Sequence, residues 1–252
     1  MVNIIFLGTS NAISDEKHEN THMVVVGEQR IVLIDCPNSP IVRFQKARVD
    51  LTRLSDLVLT HFHPDHVAGV AQLLMDMWLM GRRQPLNIHG LSHTLDRVEK
   101  MMGLYGWSDW PDFFPVAFQR LPEQVLVPVI ESEEFRILAV PVKHFVPTIG
   151  LRMEFASSKK TLAYSCDTEP CAQMTQLAGG ADILVHESTG AQPGHSSAAQ
   201  AGQAARQAEV GSLYLIHYPT GQFANRDLLA EARAQFAGPV TLAEDYMQLN
   251  FD

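Results

Sequence analysis

Apolar and polar positions change places in short blocks along this chain, and most of the blocks have the length and bounding residues of strands. Residues 4–7 form an apolar run ended by Gly8, Thr9 and Ser10, a buried strand entering a loop. Runs at 23–26 and 31–34 flank Gly27-Glu28-Gln29-Arg30, which predicts a β-hairpin, and Asp35 closes its second strand. A strand at 57–60 runs straight into His61, and after Pro64 the positions Val67, Val70, Leu73, Leu74 and Met77 recur at helical spacing. A strand at 86–89 and a helix at 91–102 come next. The segment 105–118 holds Trp107, Trp110, Phe113, Phe114 and Phe118 among prolines and glycines. It reads equally as the mouth of a site, a contact between subunits, or an aromatic loop capping its own core.

The second half has the same grammar. Strands are expected at 125–130, 135–140, 149–155, 161–165, 183–186 and 213–217, with an Ala-rich helix at 197–208. Two strand-rich halves that each end in helices predict an α/β (α+β) protein with two packed sheets and outer helices, a four-layer αββα sandwich. No linker-like or low-complexity run divides the chain, so residues 1–252 are expected to form a single domain.

The formal charge of −9 argues against a large nucleic-acid footprint, which Lys and Arg would have to supply. It is compatible with a small anionic substrate, because bound divalent cations reverse the local field. Three cysteines (Cys36, Cys166, Cys171) are too few for a disulfide framework and read as reduced, mostly buried thiols. The first residues lack the basic flank and long apolar run of a signal peptide, and no segment offers the roughly 20 apolar residues of a membrane span. No membrane association and a cytoplasmic location are the expectations.

The eleven histidines change the picture more than the charge does. In Thr60-His61-Phe62-His63-Pro64-Asp65-His66, four ligand-type side chains fall within six residues. At an extended strand end, residues i and i+2 point the same way, so His61 and His63 can grip one ion. The turn at Pro64 then lets Asp65 and His66 open a helix facing a neighbouring position. Zn²⁺ takes about four ligands, so more donors are needed, and His144, Asp167 and His217 each end an apolar strand. His18, His22, His89 and His93 have no such context.

With these residues in view, the chain resembles the metallo-β-lactamase fold superfamily, and within it the tRNase Z-like branch. The resemblance runs through Phe6-Leu7-Gly8-Thr9-Ser10, Ile34-Asp35-Cys36, the histidine cluster, and Val142-Lys143-His144 with Gly150 after it. It continues in Ser165-Cys166-Asp167-Thr168, Val185-His186-Glu187-Ser188-Thr189, His195-Ser196-Ser197 and Leu215-Ile216-His217. By resemblance, His61, His63 and His144 hold one metal, Asp65, His66 and His217 the other, and Asp167 bridges them. Two divalent ions are implied, Zn²⁺ first, with Mn²⁺ or Fe as alternatives, and they would pin a hydroxide between them. Asp65 could also act as a base. His195 is expected to protonate or stabilise the leaving oxygen, with Glu187 orienting it. The helix start after it has free amides suited to a phosphoryl oxygen. Asp35 is expected either to orient a ligand imidazole or simply to form a turn.

The match also has gaps. The basic arm by which tRNase Z enzymes clamp tRNA would lie between His144 and Asp167, where this chain has only Ala156-Ser157-Ser158-Lys159-Lys160 between two strands. The Gly-Glu-Gly-Thr-Gln stretch usual after the early Asp-Cys is replaced by Pro37-Asn38-Ser39-Pro40. Hydrolysis of a small phosphodiester is therefore the leading expectation, with RNA disfavoured as partner. The alternatives are tRNA 3′ processing, a lactone, thioester or sulfate-ester hydrolase, and a non-catalytic or redox metal-binding module. Homodimerisation is an expectation by resemblance alone.

Overall fold

The computed structural model describes residues 2–252. In chain order the first half holds β1 (Val2–Gly8), β2 (His22–Val26), β3 (Ile31–Ile34), α1 (Ile41–Ala47), β4 (Leu54–Val58), α2 (Pro64–Val67), α3 (Val70–Leu79), β5 (Leu86–Leu91), α4 (Ser92–Leu104) and β6 (Val116–Leu121). The second holds β7 (Val127–Glu131), β8 (Phe135–Val142), β9 (Thr148–Phe155), β10 (Thr161–Tyr164), α5 (Ala172–Ala178), β11 (Ile183–Glu187), α6 (Ala198–Gln207), β12 (Ser212–Ile216), α7 (Leu228–Arg233), β13 (Val240–Leu242) and β14 (Gln248–Phe251).

Alternation of buried apolar side chains forces the layers. One set of strand residues, including Phe6, Val25, Ile34, Leu151, Tyr164 and Val185, packs between the sheets. The opposite faces of β1 to β5 pack on Phe44, Leu73, Leu74, Leu95 and Met102 from the first helices. The opposite faces of β10 to β12 pack on Leu177, Ala201, Ala205 and Ala232 from the later ones. Three apolar seams between four layers give the expected αββα sandwich. The sheets run β14-β1-β2-β3-β4-β5-β6 and β13-β12-β11-β10-β9-β8-β7. The division at mid-chain has one exception: β14 crosses back and pairs antiparallel with β1, Val2 opposite Phe251.

Several element ends differ from expectation for local reasons. β4 stops at Val58, because Leu59 still bonds to His89 at 2.8 Å but the Thr60 amide turns to the Asp35 carboxylate at 2.8 Å. His61 to His63 thus leave the sheet extended and free of strand partners. The helical pattern after Pro64 is two helices rather than one. Gly69 donates to the Cys36 carbonyl at 2.8 Å, and a Cβ at Gly69 would sit 2.2 Å from the Asn38 carbonyl oxygen. The loop after β3 docks where the helix breaks. The aromatic segment packs against the core between the first sheet and its helices. Trp78 stacks on Trp110 at 5.0 Å and donates to the Pro111 carbonyl at 2.8 Å. It caps its own core.

Candidate metal centre

β4, β8, β10, β11 and β12 deliver their C-terminal ends to one rim of the sandwich, the end of a parallel array where open α/β sheets bind ligands. β8 joins that set because it and β10 both run antiparallel to β9. All seven expected ligand residues meet there. Ligand atoms of His61, His63 and His144 lie together, and those of Asp65, His66, Asp167 and His217 form a second group. His63 Nδ1 is 3.1 Å from both His61 Nε2 and His144 Nε2. In the second group, His217 Nε2 is 3.5 Å from Asp65 Oδ2 and from Asp167 Oδ1, and His66 Nε2 is 3.6 Å from Asp167 Oδ2. Asp167 Oδ2 also comes within 3.9 Å of His61 and 4.0 Å of His144. It is the carboxylate that reaches both groups.

The outward nitrogens are held by the fold. His66 Nδ1 is 2.8 Å from Asp35 Oδ2, which also accepts from the Thr60 hydroxyl at 2.8 Å. Asp35 therefore performs both expected roles, since its φ of 61° makes the turn as well. His144 Nδ1 lies 2.6 Å from the Gly194 carbonyl, and His217 Nδ1 lies 2.8 Å from the Thr189 hydroxyl. Thr60 and the Cys166 thiol, 3.7 Å away, face His61 Nδ1. Fixing one imidazole nitrogen aims the other. Thr189, Gly194 and Cys166 escaped sequence reasoning. Thr189 and Cys166 had a signal in their motifs, whereas Gly194 acts through its backbone and had none.

The chemistry of the donors fits cations. His66 Nε2, His217 Nε2 and Asp167 Oδ1 are buried without a hydrogen-bond partner, an arrangement that is costly unless something else satisfies them. Burial lowers His61, His63 and His144, and neighbouring imidazoles add to it, which favours the neutral, ligating form. Burial would lower His66 too, but Asp167 and Asp35 outweigh it and hold it well above the usual range. Burial would raise Asp167, yet His217 and His66 hold it well below the ordinary carboxylate range. Asp65 is likewise pulled down, to about 2, as the nearby His217 and the charge of His66 outweigh burial. The cavity thus favours positive charge among its carboxylates.

His195 stands beside this group, its Nδ1 3.1 Å from Glu187 Oε1 and 4.0 Å from Asp167 Oδ2. Burial raises Glu187, against the pull of His195. Burial would lower His195, but the bond and charge of Glu187 raise it. The pair keeps a proton to higher pH than a free imidazole would. Glu187 Oε1 further accepts from the amides of Thr168 at 2.9 Å and Ser196 at 3.1 Å. Of the amides around the start of α6, some are engaged within the chain. Ser196 is bonded to Glu187, and Ser197 and Gln200 close a reciprocal capping box at 2.8 and 3.2 Å. These three amides are spent within the chain; those of Ala198 and Ala199 in the first turn are not among them.

Of the histidines set aside, His22 bonds to the Asn20 carbonyl at 2.8 Å and His89 to Asp56 at 2.9 Å. Between β9 and β10, residues 156–160 form only a turn. No described helix is long and apolar enough to cross a membrane.

A family model described as the β-lactamase superfamily domain matches residues 30–218. Ribonuclease Z of Methanothermobacter thermautotrophicus is 25% identical over 304 aligned positions, covering 98% of this chain and 96% of that protein. Ribonuclease Z of Mycolicibacterium gilvum is 30% identical, covering 97% and 94%. Among solved structures, the metallo-β-lactamase fold protein YhfI from Bacillus subtilis superposes with a TM-score of 0.82 at 20% identity, covering 98% of each chain. The short form of human tRNase Z gives 0.78 at 22%, covering 99% of each. A diphosphatase of the PhnP family gives 0.73 at 22%, covering 100% of this chain and 98% of that one. These structures share the fold.

Proposed function

The chain belongs to the β-lactamase superfamily, in its ribonuclease Z-like branch, and from that premise we propose that it is a binuclear metal-dependent phosphodiesterase acting on a small anionic ester. The observation that carries this reading is Asp167, buried, within 4.0 Å of ligand atoms from both histidine groups. His61, His63 and His144 would hold one ion, Asp65, His66 and His217 the other, and Asp167 both. Imidazole and carboxylate donors suit Zn²⁺, with Mn²⁺ and Fe as alternatives. Two such ions would supply Lewis acidity, lower the pKa of water, and offset the charge of a pentavalent phosphorus centre.

The protein's own groups do the rest. Asp65 has a low-lying carboxylate at the open side of the second group and can accept the proton of an attacking water. His195 has Nδ1 engaged by Glu187, which leaves Nε2 to protonate the departing oxygen. Glu187 is buried and bonded to three backbone amides besides, so it fixes the ring and favours its protonated form.

A second reading, tRNA 3′ processing, is supported by the ribonuclease Z relatives that span nearly the whole chain. Two observations weigh against it: the turn at 156–160 where an arm would stand, and the charge of −9. Protein of measured metal content should be assayed on bis(p-nitrophenyl) phosphate, a lactone and a precursor tRNA in parallel. Turnover of the phosphodiester with little cleavage of the tRNA is expected, and efficient tRNA cleavage would select the second reading. Lactone turnover alone would overturn both.

A further inference from the structure

Phe145, directly after the ligand His144, is 63% exposed. It is nevertheless held in place. Gly194 lies against the ring so closely that a Cβ there would come within 2.5 Å of it. Gly194 also supplies the carbonyl that fixes His144. The ring centroid is 5.1 Å from that of His144 and 6.2 Å from that of His195. One side of the ring is therefore wedged on the backbone of the metal centre while much of the rest faces solvent. A shallow cavity of about 490 Å³ adjoins it, bordered by Pro141, Lys143, Val146, Pro147 and Cys171. The Lys143 ammonium at this border is paired with Glu169 at 2.7 Å. The border mixes apolar Pro141, Val146 and Pro147 with polar Gln173, its lysine is engaged, and it suits a flat ring better than a second phosphate.

We infer that Phe145 is a stacking platform for a planar aromatic or heterocyclic ring carried on an ester group of the substrate, so that the substrate class is aryl or nucleoside phosphodiesters. The inference rests on the phosphodiesterase reading above. A ring laid on the exposed face removes apolar surface of both partners from water and adds an offset or edge contact between π-systems. Such a contact requires no hydrogen bonds and tolerates different rings.

The test is calorimetric binding of three phosphomonoester products to the metal-loaded protein. Adenosine 5′-monophosphate holds a ring beyond a ribose, phenyl phosphate holds one next to the ester oxygen, and ribose 5-phosphate holds none. The two ring-bearing products, or whichever of them has the natural reach, should bind about tenfold more tightly than ribose 5-phosphate. In Phe145→Ala and Phe145→Leu this preference should shrink to within about twofold, and Phe145→Trp should retain it. The Leu variant keeps apolar bulk on Gly194, so its metal content should match that of the unaltered protein. A preference that survives both the Ala and Leu changes overturns the inference. So does its absence from the unaltered protein while bis(p-nitrophenyl) phosphate is still hydrolysed. If that diester is not hydrolysed and none of the three products binds, the phosphodiesterase reading has failed and the platform falls with it.

Discussion

The two parts of the ligand set are built in opposite ways. His61, His63, Asp65 and His66 come from six consecutive residues, and a strand end, a proline turn and the first turn of α2 aim them. His144, Asp167 and His217 are isolated residues on three different loops, and only the register of β8 to β12 brings them within 4.0 Å of the first set. Two of these three loops are bent sharply at the site: Cys166, next to Asp167, has φ of 52°, and so has His217. A left-handed residue with a side chain costs roughly 1–2 kcal/mol, so the dispersed ligands are held by the surrounding fold against a local preference. The contiguous ligands take most of their aim from their own turn, with Asp35 fixing His66 and the Thr60 amide. Local sequence can make half of a binuclear centre; tertiary packing has to make the other half.

The comparison can be broken most sharply at Asp167. Asp167→Asn should remove the carboxylate shared by both groups and lower turnover by more than the roughly 100-fold typical of losing an outer partner. Metal analysis should show both ions weakened, whereas loss of a single ion would mean that Asp167 serves only one of the two groups. His195→Ala tests chemistry separately from assembly. Turnover of esters with alkoxide leaving groups should fall by about 10² or more, with metal content unchanged, and a p-nitrophenolate leaving group should suffer less. Unchanged rates on both would reduce His195 to a structural neighbour. The smallest effect is expected at Ser197→Ala, which removes one side of the capping box and should cost about 1 kcal/mol in a denaturation midpoint. If activity fell far more than stability, α6 would be a working part of the site rather than its support.

The same contrast explains what could be read from the sequence. The layered architecture was legible because strand-length apolar blocks with turn residues between them leave few other folds. The cluster at 61–66 was legible because its geometry is decided within one turn of chain. His144, Asp167 and His217 each showed only as a polar residue ending an apolar strand, a pattern His89 nearly shares while serving Asp56 on β4. The strand-end pattern put these three forward, and the resemblance assigned them to two metal positions. The break between α2 and α3 was hidden, because it depends on Gly69 meeting Asn38 from another segment. So was the engagement of the Ser196 amide just before α6, which depends on Glu187 lying beneath it.

Because β14 lies along β1, the boundary between the two halves is not a seam along which the molecule can be divided. A fragment ending near residue 122 would present the long outer edge of β1 with unpaired amides and carbonyls, a template for strand addition and aggregation. Its partner fragment would carry an apolar β14 with no sheet to join. Split reporters, domain exchanges and halved chains cut there should precipitate, whereas insertion at the exposed turn of residues 156–160 leaves every strand pairing intact.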